Sequence, residues 1–181
     1  MTPPTIETER LILRPLTFDD FDDLAVLHAE ESFWKYPFGR GWVPDETRAF
    51  LDRMRVRYDN ERFGVAAVVV RDDGRLAGWA GLVTPTFLPE ILPAVEDGWR
   101  LGAEFWGRGY ATEAGRAWVD YGFGDGELDE IVSIYEPENV ASGDVMKRLG
   151  FGLGRVTVHP VLGVELHVMT LDRNDWRGAS D

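Results

Sequence analysis

Cysteine is absent from the 181 residues. That excludes a disulfide framework, thiolate metal sites and a cysteine nucleophile, and it fits a reducing, cytoplasmic setting. Histidine is scarce too, and His28, His159 and His167 lack metal-ligand spacing, so no metal is expected. No Gly-x-Ser-x-Gly elbow occurs. No apolar run approaches the length of a membrane span, and the opening MTPPTIETER is polar and acidic rather than an apolar signal core. Positive charge is short as well, with 19 Lys and Arg against 32 Asp and Glu and a net charge of −13. Such a balance repels nucleic acid and anionic lipid and favours cationic partners, although it also simply keeps a protein soluble. No repeat, low-complexity tract or linker marks a boundary, so the length suits one domain over 1–181.

Periodicity supplies the elements. Thr8 to Pro15 reads as a strand with Leu11 and Leu13 on one face and Arg10, Ile12 and Arg14 on the other. Thr17 or Asp19 can cap a helix through about Glu30, with Phe21, Leu24, Ala25, Leu27 and His28 as its stripe. A second helix begins after Pro44-Asp45 and turns Phe50, Leu51 and Met54 inward. Gly64 to Val70 and Leu76 to Thr84 form a hairpin around a two-residue Asp73-Gly74 turn. A strand from about Val95 to Leu101 leads into a helix that runs to about Phe123. Leu128 to Tyr135 is a strand, Asn139 to Leu149 a short helix stopped by Gly150, and Arg155–His159 with Val164–Leu171 a closing antiparallel pair. The order β-α-α-β-β-β-α-β-α-β-β specifies a mixed sheet with helices packed on it, α/β or α+β rather than a doubly wound nucleotide fold.

Two segments carry chemistry. In Phe105-Trp106-Gly107-Arg108-Gly109-Tyr110-Ala111-Thr112-Glu113-Ala114, glycines and small residues cluster where strand gives way to helix. Such a turn aims unpaired N–H groups at one point, and the helix dipole adds partial positive charge there, which makes an anion cradle. The alternative is a tight turn that needs glycine for steric reasons alone. In the short helix after Glu138, Ser142, Met146 and Leu149 fall at i, i+4 and i+7, so the serine shares the buried face. Ser142 either meets a ligand there or bonds a backbone carbonyl, with Asn139 as a plain N-cap.

These segments, with Thr8-Glu9-Arg10-Leu11-Ile12-Leu13-Arg14-Pro15, Val95-Glu96-Asp97-Gly98-Trp99-Arg100-Leu101 and the closing Leu149-Gly150-Phe151, resemble the GNAT superfamily of N-acetyltransferases. Within it they resemble the branch of the ribosomal-protein acetyltransferases RimJ and RimL, over roughly Thr8 to Trp176. The resemblance implies a GNAT fold, α/β of the mixed α+β kind. Its mostly antiparallel twisted sheet would have about six to seven strands, splayed in the middle and flanked by about four helices. It also implies an enzyme that moves an acetyl group from acetyl-CoA to a primary amine by direct attack. The alternative is a CoA-binding sensor or scaffold of the same fold.

The site residues follow from the resemblance. The family's Gln/Arg-x-x-Gly-x-Gly/Ala signature falls on Trp106, Gly109 and Ala111, with Trp106 departing from the broad pattern. The N–H groups of Gly107, Arg108, Gly109, Tyr110, Ala111 and Thr112 would hold the CoA diphosphate. Pantetheine would run along Trp99 and Leu101, and Asn139 would contact it or orient the acceptor. Glu96 is the first candidate for the base that frees the amine, and it is equally readable as an ion-pair partner of Arg100; Asp97 is second. Many relatives place a tyrosine where Met146 stands, which leaves Ser142 to meet the sulfur. Trp34 and Phe38, with Tyr36 and Trp42, would shape the acceptor mouth or else plug their loop onto the sheet. A peptide N-terminus or a small cationic amine is the expected acceptor, and a homodimer follows by family analogy.

Overall fold

Leu11 and Leu13, two residues apart in the strand Leu11–Pro15 (β2), are fully buried, while Ile12 and Arg14 between them keep some exposure, as a pleat of period two requires. The computed structural model describes residues 4–36, 39–176 and 178. The strand expected from Thr8 is interrupted, and a two-residue strand, Ile6–Glu7 (β1), precedes it. Thr8 and Arg10 turn aside to hold a distant carboxylate: Thr8 Oγ1 donates to Glu113 at 2.6 Å, and the Arg10 backbone N–H does so at 2.8 Å.

The first helix is Phe21–Ala29 (α1), entered through a single 3-10 turn. Its organiser is Asp20, not Asp19: Asp20 accepts the Thr17 N–H at 2.8 Å and both ends of the Arg14 fork at 2.6 and 2.9 Å. Pro44–Asn60 (α2) starts with proline where no N–H is needed, and Glu46 accepts the Val43 N–H at 3.0 Å. Phe50, Leu51 and Met54 face the core as their spacing requires. Val65–Val70 (β3) and Leu76–Val83 (β4) pair antiparallel. The hairpin loop is longer than a two-residue turn. It spans Arg71 to Gly74, with Val70 N–H donating to the Arg75 carbonyl at 2.9 Å and Gly74 at φ +71.

Glu96–Leu101 (β5), Tyr110–Phe123 (α3), Glu130–Tyr135 (β6), Val140–Arg148 (α4), Gly152–Val158 (β7) and Glu165–Asp172 (β8) complete the chain. The sheet has eight strands in the order β1-β2-β3-β4-β5-β6-β8-β7; the count exceeds the expected six to seven partly through the short β1. All neighbours run antiparallel except β5 and β6. The helix α3 packs tightly on one face. A Cβ on Gly115 would lie 3.1 Å from the Asp97 carboxylate and 2.8 Å from Leu149. The other face of β4 meets α2 and the 3-10 turn after α1 through Trp79, Phe50 and Phe33. Among the described residues no helix is long and apolar enough to cross a membrane.

Candidate active site

The site begins with a strand pairing that stops. The strands β5 and β6 share one register pair, Glu96 with Val132, supported by Val132 N–H to the Val95 carbonyl at 2.9 Å. Ser133 Oγ then donates to the Asp97 carbonyl at 2.7 Å. Beyond that point the two parallel strands part, so the splay opens toward their C-terminal ends. Each strand is followed by a helix, α3 after β5 and α4 after β6, and both helix N-termini face the opening. The result is a cleft of about 1430 Å³ with the positive ends of two helix dipoles at its rim.

At one rim lies the turn before α3. Gly107 and Gly109 sit at φ +70 and +79, the left-handed region that glycine enters without penalty. None of the backbone N–H groups from Gly107 through Thr112 donates to an acceptor among the described residues, and five of these six residues, all but Arg108, line the cleft. A Cβ on Gly107 would meet nothing within 4 Å; the space above it is open for a ligand. The turn is braced from behind. Arg10 donates from Nη1 to the Arg108 carbonyl at 2.8 Å and from Nε to Glu113 at 2.7 Å. Trp106 holds the incoming strand, its indole N–H donating to the Leu101 carbonyl at 2.8 Å. Trp99, Leu101, Trp106, Gly107, Gly109, Tyr110, Ala111 and Thr112 all line the cleft; Arg108 does not. Arg116 and Arg148 also line it and supply positive charge locally in a strongly acidic chain. A diphosphate fits this donor set.

The two neighbouring acids, Glu96 and Asp97, have opposite fates. Glu96 lines the cleft and leans over Gly98, one carboxylate oxygen 3.8 Å from where a Gly98 Cβ would be. It has no hydrogen bond or ion pair within 4.0 Å among the described residues, so the alternative reading, a pair with Arg100, is not made. Burial pushes its carboxyl up to about 7, with the Arg100 charge pulling it down. Arg100 instead donates from Nη1 to the Phe33 and Tyr36 carbonyls, both at 2.7 Å, and packs 4.6 Å from the Trp34 ring. Burial lowers it to about 10, which leaves it charged at neutral pH.

Asp97, one residue on, points to the opposite face. It is fully buried, is not part of the cleft, and neither carboxylate oxygen has a partner among the described residues. Burial, then the Glu96 charge, raises its carboxyl well above 3.8. A raised folded pKa means folding takes up a proton, so stability present at low pH is lost as pH rises from the unfolded pKa toward the folded one. Asp97→Asn removes the ionisation and keeps the shape. Each pKa unit is worth about 1.4 kcal/mol, and each kcal/mol about 2–4 °C in a chain of this size. The variant should therefore melt above wild type at pH 8, with the gap closing by pH 4. Thermal melts across that range check it, and a gap that does not change with pH would contradict a neutral Asp97.

On the rim formed by α4, Asn139 caps the helix, its Oδ1 accepting the Ser142 N–H at 3.4 Å. Asn139 and Ser142 line the cleft, and the Ser142 hydroxyl bonds no carbonyl among the described residues. Met146 is 2 % exposed and has no proton to give. Tyr36 reaches across from the opposite rim, its hydroxyl donating to the Glu138 carbonyl at 3.1 Å.

The aromatic wall of the cleft differs from the sequence expectation. Trp34 is buried at 3 % exposure and stacks on Trp42 at 3.7 Å, with its N–H donating to the His28 carbonyl at 3.0 Å. It belongs to the core and does not line the cleft; Phe33 and Tyr36 from the same loop do. Phe38 lies outside the described residues. Sequence reasoning missed the Arg10–Glu113 brace, the far wall of Phe87 and His159, stacked at 5.2 Å, and Tyr135 at the end of β6. These are contacts between distant elements, and no local spacing encodes them.

The geometry agrees with three comparisons. The family model described as "Acetyltransferase (GNAT) domain" matches residues 10–152. The uncharacterized N-acetyltransferase YnaD of Bacillus subtilis is 30% identical over 146 residues, 80% of this chain and 81% of that protein. An acetyltransferase structure from Agrobacterium tumefaciens is 27% identical with a TM-score of 0.77, covering 94% of this chain and 95% of that one. RimL solved in complex with coenzyme A shares the fold at a TM-score of 0.78 and 16% identity, over 93% of this chain and 98% of its own. A splayed mixed sheet, a glycine turn with unpaired N–H groups at a helix N-terminus and a family match over most of the length lead to one conclusion: the chain belongs to the GNAT acetyltransferase family.

Proposed function

We propose that the protein moves an acetyl group from acetyl-CoA to a primary amine, either a peptide N-terminus, as in the RimJ and RimL branch, or a small cationic amine. One observation carries this reading: an unpaired N–H cradle and a free, half-buried carboxylate lie in the same cleft. The turn from Gly107 through Thr112 would bind the diphosphate, with Arg116 and Arg148 as nearby cations. Acetyl-CoA supplies an activated thioester when bound; no covalent enzyme intermediate is required. The pantetheine arm would lie in the splay along Trp99 and Leu101, contacting Asn139.

Amines arrive protonated, a lysine ammonium having a pKa of about 10 and an α-ammonium about 8. Glu96, titrating near 7, takes that proton directly or through water. The Ser142 hydroxyl hydrogen-bonds the sulfur. The acceptor enters between Phe33 and Tyr36 on one side and Phe87 and His159 on the other, and the acidic chain favours a cation there. The lack of cysteine suits a cytoplasmic enzyme, and a homodimer is carried over by analogy alone. The test is incubation with acetyl-CoA and a panel of peptide N-termini, polyamines and aminoglycosides, with mass spectrometry of the acceptor and assay of free CoA. An acetylated amine with one CoA released per acetyl group is expected. Tight CoA binding with no transfer to any amine would favour a sensor or scaffold instead.

A further inference from the structure

Tyr135, the last residue of β6, lines the cleft, and its hydroxyl has no partner among the described residues. Alternation turns Ile131, Ser133 and Tyr135 to one face of the strand. Ile131 would lie 2.7 Å from a Cβ on Gly122 of α3, and Ser133 binds the Asp97 carbonyl. Tyr135 lies on α4, where its ring occupies the space that a side chain at position 143 would need. A Cβ on Gly143 would sit 2.7 Å from the ring carbon Cε2 and 3.2 Å from the hydroxyl oxygen. His167 meets the ring edge-on at 5.4 Å. The phenol is thus held against Gly143 in the first turn of α4, the residue that follows Ser142 in the chain.

The departing thiolate needs a proton, and Met146, the α4 residue where many relatives carry a tyrosine, lines the cleft but has none to give. A phenol titrates near 10 and an ordinary thiol near 8.5. The Ser142 hydroxyl, an aliphatic alcohol, is a far weaker acid than either. We infer that Tyr135, reaching from a strand across Gly143, donates the proton to the CoA sulfur; this rests on the acetyl-CoA reading above. The amine nitrogen forms its bond to the thioester carbonyl carbon, and the carbon–sulfur bond breaks with its electron pair going to sulfur. The Tyr135 O–H proton passes to that sulfur, while the surplus amine proton leaves through Glu96 to water. Solvent then returns a proton to the phenoxide. Amine and thioester become amide and thiol with protons conserved.

Tyr135→Phe keeps the ring on Gly143 and removes only the hydroxyl. Because the protein has no cysteine, the pH dependence of alkylation of CoA, saturated with excess protein, reports the CoA thiol alone. A hydroxyl that donates to the thiolate favours the charged form, so the bound thiol should ionise at lower pH in wild type than in Tyr135→Phe. CoA affinity by calorimetry should change less than about twofold, and kcat should fall by about two to four decades, the range for losing a positioned acid. Gly143→Ala, which removes no functional group, should likewise move the thiol ionisation to higher pH than in wild type by displacing the ring. Equal thiol titration in wild type and Tyr135→Phe, with CoA bound in both, overturns the role of Tyr135 and leaves acetyl transfer standing. A wild type that binds no CoA overturns both.

Discussion

Gly109→Asp should lower CoA affinity by about two to three decades while the fold survives. Gly109 is the N-cap of α3 at φ +79, and aspartate is among the side chains that enter this left-handed region with least strain. A Cβ there would meet only Arg10 Nη2, at 3.3 Å, the end of a flexible side chain. The carboxylate would project where the unpaired N–H groups converge. A like charge about 4 Å from the diphosphate costs on the order of 4 kcal/mol at an effective dielectric near 20, about three decades in affinity. Gly109→Asn has nearly the same shape and no charge, so the difference between the two variants isolates the electrostatic part. Calorimetry with CoA on both, alongside melts, reads the effect. A folded Gly109→Asp that binds CoA as wild type does would remove the turn from the binding site.

The second large effect belongs to Glu96→Gln. If Glu96 takes the amine proton, kcat/KM in wild type should rise with pH through about 7, where burial has placed its carboxyl. The group must be unprotonated to act, so activity is lost below that value and gained above it. Glutamine keeps the side chain over Gly98 but cannot accept the proton. We expect a loss of about two to four decades near neutral pH and disappearance of that limb, with the rate then following only the free-amine fraction of the acceptor. An α-amine, with its lower pKa, should suffer less than a lysine side chain. A Glu96→Gln profile superimposable on wild type would pass the role to water alone, because Asp97 faces away from the cleft. Equal loss at every pH would make Glu96 a residue that shapes β5.

Much of this architecture is legible in the sequence because it is written in local periodicity. The α2 boundary at Pro44, the inward Phe50, Leu51 and Met54, and the left-handed Gly150 after α4 follow from capping and stripe rules. The glycine turn is legible for the same reason. What escapes is relational. Alternation shows that Glu96 and Asp97 face opposite ways but not which face opens to the cleft; the end of β5–β6 pairing decides that. Trp34 and Phe33 are adjacent aromatics in one loop, and only the Trp34–Trp42 stack and the His28 carbonyl bond put Trp34 in the core. The break in the first strand depends on Glu113, 103 residues from Arg10. The Tyr135–Gly143 contact likewise joins a strand end to a helix, with no motif to announce it.

The central claim is that the unpaired N–H groups before α3 hold the diphosphate of CoA. Backbone amide resonances followed during titration with CoA, and in parallel with pantetheine, which has no diphosphate, test it most directly. The account predicts that CoA produces its largest amide shifts from Gly107 through Thr112 and that pantetheine leaves these resonances in place. CoA that saturates the protein without moving them, or pantetheine that moves them equally, would contradict it.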